Sequence, residues 1–82
     1  MSNAANTKSI RATNAIEANP EALFLLGCVC SGDTPAVPHE GAEDALTRVR
    51  VIRLDDDGEY ELTRRGELVR DELNFRLGDD WT

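Results

Sequence analysis

The sequence predicts a small α+β fold in which helices are followed by one C-terminal β-hairpin and a closing helix. Three observations carry this. Asp55-Asp56-Asp57-Gly58 lies between Ile52-Arg53-Leu54 and the alternating run Glu59-Tyr60-Glu61-Leu62, the pattern of two strands joined through an Asp-Gly turn. Leu68, Val69, Leu73 and Leu77 recur at helical spacing after Thr63, with Phe75 at the edge of the stripe. Finally, 82 residues with 40% apolar content suit one domain with a single modest core, for which dimerisation is a sensible supplement.

Residues 1–8 are polar and uncapped and are expected to be disordered; Ser2-Asn3-Ala4 also matches a common tag remnant and could equally be native. Residues 9–78 make up the domain. A short helix over 9–18 would carry Ile10 and Ile16. Asn19-Pro20-Glu21 is a firmer start signal, because Asn caps free amides, Pro tolerates the first helical position and Glu complements the helix dipole. The helix it opens, 20–31, is apolar nearly all round from Ala22 to Cys30, which marks a central helix or one side of a dimer contact. Gly32-Asp33 ends it, and Pro35, Pro38 and Gly41 make the next stretch a loop.

Two readings compete over 42–54. Ala42, Ala45, Leu46, Val49 and Ile52 fit one face of a continuous helix. Alternatively a helix ends near Arg48 and β-branched Val49, Val51 and Ile52 begin a strand, which the Asp-Gly turn requires as a partner for Tyr60 and Leu62. The second is preferred, with Ile52 and Leu54 facing the core and Arg53 in solvent near Glu59 or Glu61. Thr63 caps the closing helix and Gly78 stops it. Residues 79–82 form an acidic tail, whose Trp81 is expected to pack on the core or on a partner.

Nine basic against sixteen acidic residues give a net charge of −7 and a pI near 4.5, unlike a free nucleic-acid binder. Eight of the nine basic residues are arginine, a Lys-poor and acid-rich pattern that suits a salt-loving host, although GC-rich coding also favours Arg. Cys28 and Cys30 cannot build a disulfide framework, so a reduced cytoplasmic setting is expected. No run approaches the ~20 apolar residues of a membrane span, and no secretory signal is apparent.

Cys28, Cys30 and His39, with Asp33 or Glu40, could be imagined as metal ligands. On a helix, however, Cys-x-Cys points its thiols about 200° apart, so they read as core residues and no metal or cofactor is expected. The Asp55-Asp56-Asp57-Gly58-Glu59 run lacks the ligand spacing of a calcium loop. With one His, no Gly-rich phosphate loop and carboxylate pairs that are only sequence neighbours, no catalytic residues are assigned and an enzyme is not expected.

The hairpin and closing helix resemble the wing and following helix of winged helix-turn-helix regulators, whose second wing strand commonly ends in Leu-Thr with a Gly three residues after the Thr, as Leu62-Thr63 and Gly66 stand here. The resemblance covers roughly half the chain. It maps 20–31 onto the supporting helix, 42–48 onto the recognition helix and 52–63 onto the wing, with only about ten residues between the two helices where the family usually has another helix and its turn. It implies a DNA-binding transcriptional regulator, a homodimer through the apolar 20–31 helix and the closing helix, with Arg48, Arg50, Arg53, Arg64 and Arg65 contacting phosphates. The alternative is an acidic protein-interaction module or inhibitor, imitating the charge of DNA, in which those arginines pair with carboxylates such as Asp55, Glu59, Glu61 and Glu67. A contiguous basic face would favour DNA; arginines neutralised one by one would favour a protein partner.

Overall fold

The computed structural model describes residues 4–33 and 40–81. Among them the order is α1 (Ala4–Glu17), α2 (Pro20–Ser31), α3 (Glu40–Arg48), β1 (Ile52–Leu54), β2 (Tyr60–Leu62) and α4 (Arg64–Leu77), followed by a 3-10 turn, Asp79–Trp81. The α+β class is as expected.

The N-terminal helix differs from its expectation, since it starts at Ala4 and takes up residues 4–8, which composition marked as disordered. The reason is tertiary. Ser9, Ala12, Thr13 and Ile16 are buried where α1 packs against α4 and α2, and a helix anchored by such a face can extend past its own weak propensity. Thr13 is completely buried, and its hydroxyl donates to the Ser9 carbonyl at 2.8 Å, which avoids an unsatisfied polar group.

α2 is capped as the sequence dictates. The Asn19 side chain accepts from the Ala22 amide at 3.3 Å, and Gly32, at φ 77°, closes the helix through Gly32 N–H to Val29 O and Asp33 N–H to Cys28 O. Ala22, Leu25 and Leu26 are buried within the chain, each leucine contributing roughly 1.5–3 kcal/mol by burial. Phe24 stands 58% exposed. Ala42 and Leu46 of α3, Val51 and Ile52 at the hairpin root, and Val69 and Leu73 of α4 complete the core.

The ambiguity over 42–54 resolves as helix then strand. α3 ends at Arg48, and Val51 N–H reaches back to Leu46 O at 3.1 Å while Arg50 N–H bonds Thr47 O at 3.0 Å. This is the bonding of a left-handed helix stop, and Arg50 supplies it at φ 63° where glycine is usual, at a cost of roughly 1 kcal/mol. The strands pair Ile52 with Leu62, Arg53 with Glu61 and Leu54 with Tyr60. Ile52 is buried, but Leu54, expected on the core face, is 57% exposed because the hairpin projects beyond the helices that cover its root.

α4 begins where Thr63 accepts from the Gly66 amide at 3.1 Å. Val69 and Leu73 face inward, Leu68 is half-buried, and Leu77 and Phe75 point outward, Phe75 with 86% exposure. Gly78 ends the helix through its N–H to Asn74 O. Asp79–Trp81 is folded back: Trp81 packs on the core and donates from Nε1 to Asn74 Oδ1 at 2.6 Å. Arg76 ties α4 to α1 through Glu17 at 3.0 Å and Asn14 at 2.7 Å, with Glu72 at 2.9 Å; the hydrogen bonds to Glu72 and Glu17 raise its pKa further.

Candidate functional site

α3 and the hairpin form one unit. Tyr60 on β2 donates its hydroxyl to Glu43 on α3, and that hydrogen bond, with burial and the carboxylate's charge, pushes the phenol up to about 12. The turn is built by Asp55, whose carboxylate accepts from the amides of Asp57 and Glu59, both at 2.9 Å, while Gly58 at φ 81° completes the reversal. Asp55 is therefore structural, and Asp56, Asp57 and Glu59 are left as exposed charges.

Residues 40–62 carry eight carboxylates against three arginines, a net −5 of the chain's −7. On α3 itself the exposed positions include Glu40, Asp44 and Thr47, with Glu43 half-buried. A helix with that surface opposes entry into a polyanionic groove.

Three of the five arginines assigned to DNA lie against carboxylates. Arg48 pairs with Asp44 at 2.6 Å, Arg53 with its cross-strand partner Glu61 at 3.3 Å, and Arg64 with Glu67 at 3.6 Å. All three pairs are largely exposed and weak as stabilisers, but each places a carboxylate beside the cation. Arg65 donates to the Val49 carbonyl at 3.3 Å, and Arg50 is exposed with no carboxylate partner among the described residues.

Two residues were missed at the sequence level. Lys8 and Arg11 on α1 have no carboxylate partner among the described residues, and with Ala12, Val49 and Arg65 they line a shallow cavity of about 180 Å³ between α1 and the start of α4. Since α1 and α4 lie far apart in sequence, only their packing could bring these cations together.

No group of residues that could hold a metal ion occurs among the described residues, although His39 lies outside them. Cys28 and Cys30 are free and half-buried, and burial pushes the Cys30 thiol up despite the opposing charge of Arg70. No described helix is long and apolar enough to cross a membrane. Comparison with protein-family models, with curated proteins and with solved structures gives no match.

Proposed function

We propose that this chain is a winged-helix-like protein-interaction module, not an enzyme, whose α3–hairpin face takes a basic partner. The observation that carries the reading is charge placement. The elements that would meet DNA in a winged-helix regulator hold most of the chain's net negative charge, and Arg48, Arg53 and Arg64 each lie against a carboxylate. Such a face repels a phosphate backbone and attracts arginine- or lysine-rich surfaces, which fits an inhibitor that imitates the charge of nucleic acid.

The test is titration with an arginine-rich peptide. Neutralising Asp56→Asn, Asp57→Asn and Glu59→Gln leaves the turn-building carboxylate of Asp55 intact. It should weaken binding severalfold more than the charge-matched set Glu21→Gln, Asp33→Asn and Asp80→Asn, whose residues belong to neither α3 nor the hairpin. Equal losses from both sets, or tighter binding to a short DNA duplex than to the peptide at the same ionic strength, refute the reading.

DNA binding by a transcriptional regulator of the same fold is the second reading. The observation favouring it is that Lys8, Arg11, Arg50 and Arg65 have no carboxylate partner among the described residues. Duplex binding that is lost on Arg50→Ala with Lys8→Gln, and unaffected by the wing-tip changes, would establish it.

A further inference from the structure

We infer that the cavity between α1 and the start of α4 is an oxyanion site that takes a phosphate group. Its wall is Lys8, Arg11, Ala12, Val49 and Arg65, so three cations and no carboxylate surround it. That composition is exceptional in a chain of net charge −7. The comparable groove farther along the same two helices is lined by Ser9, Ile10, Leu68, Asp71 and Glu72 and carries the opposite sign.

The cavity is also organised. Arg65 is held by its Nη1 hydrogen bond to the Val49 carbonyl at 3.3 Å, which fixes the planar fork and leaves other N–H groups to meet a ligand. That carbonyl belongs to the turn that stops α3, itself locked by Thr63 Oγ1 donating to Arg50 O at 2.5 Å. Arg65 is the second residue of α4, so the positive end of that helix adds to the field. Lys8 and Arg11 are exposed on the adjoining α1 surface and can close on an anion from the other side. A tetrahedral dianion matches this arrangement because guanidinium forks and an ammonium can share its oxygens. The phosphate could be a free or terminal group, or part of a nucleic-acid backbone. The site stands apart from the α3–hairpin reading, so failure of either leaves the other in place.

The experiment is titration of the intact chain with inorganic phosphate, followed through the arginine Nε resonances. Arg11 and Arg65 should shift together and saturate, while Arg53 and Arg76 move little. Lys8→Gln with Arg11→Gln should weaken binding by about tenfold, roughly threefold for each exposed charge contact, without changing the melting temperature. The control pair Arg53→Gln with Arg64→Gln removes the same charge elsewhere and should leave affinity within about twofold. Arg65→Gln does not serve alone, since its loss also frees the Val49 carbonyl, so the α1 pair carries the test. Uniform, non-saturating shifts of all arginines, or equal weakening by both pairs, would overturn the site. A short duplex without terminal phosphates then separates the sources. Binding that depends on Lys8 and Arg11, with a log-affinity to log-salt slope of about −3, identifies backbone phosphate. Retained inorganic phosphate binding without duplex binding identifies a free or terminal phosphate.

Discussion

Replacing Gly66 by Ala tests how α4 is seated on the hairpin root. A Cβ at this position would lie 2.1 Å from the Val51 carbonyl oxygen, 3.0 Å from its carbon and 3.1 Å from Leu62 Cδ2, whereas ordinary contact begins near 3.4 Å. The obstacle is backbone. Val51 O is already held by Thr63 N–H at 3.1 Å, and Val51 N–H by Leu46 O, so neither side can yield without loss. α4 must retreat by over an ångström, or the Val51 peptide must turn away from Thr63. Overpacking costs roughly 1–3 kcal/mol and the disturbed buried hydrogen bond about 1, while Ala returns up to about 1 through helix propensity. The net is a destabilisation of about 2 kcal/mol, a fall in melting temperature of about 10 °C for a domain this size. Thermal and urea melts of the two chains measure it. Gly41→Ala is the control, since nothing lies within 4 Å of its Cβ and its φ is not positive; it should be neutral or stabilising. A Gly66→Ala chain that melts at or above the parent temperature would refute the seating of α4.

Other outcomes follow from individual contacts. Tyr60 is the chain's one tyrosine, so ultraviolet titration reads it alone: its pKa should lie near 12, and Glu43→Gln should move it down towards 10. Because the folded value is raised, this contribution to stability is complete below about pH 10 and lost as pH rises through about 12; a Tyr60 that titrates normally in the folded chain contradicts the Glu43 bond. Arg50→Gly should hold or raise the melting temperature, by up to about 1 kcal/mol of relieved left-handed strain, and a clear drop would show that the Arg50 side chain itself supports the fold. Cys30 should alkylate more slowly than Cys28, and a chelator should leave the melting curve unchanged; about one zinc per chain by metal analysis would overturn the reading of both cysteines as packing residues. A homodimer is expected at micromolar concentration through α2 and α4, which expose Phe24 and Phe75, so light scattering should show a dimer that Phe75→Glu dissociates, and a monomer mass throughout would exclude it.

Local chemistry by itself determined much of this fold. Asn19-Pro20 placed the start of α2 and Thr63 the start of α4, because caps act through hydrogen bonds only a few residues long. The Asp-Gly turn and the alternation around Tyr60 gave the strand register. The break after Arg48 was harder to read, since its left-handed stop is made by Arg50 and no glycine announces it. What only tertiary structure decided depends on distance along the chain. α1 owes its length to burial against α4, Leu25 and Leu26 turn inward because α1 and α3 cover them, and Leu54 is left in water where that cover ends. The charge pattern divides in the same way. The acidity of residues 40–62 is visible in the sequence, but the meeting of Lys8 and Arg11 with Arg65 arises only because α1 and α4 pack side by side, and no local spacing encodes it.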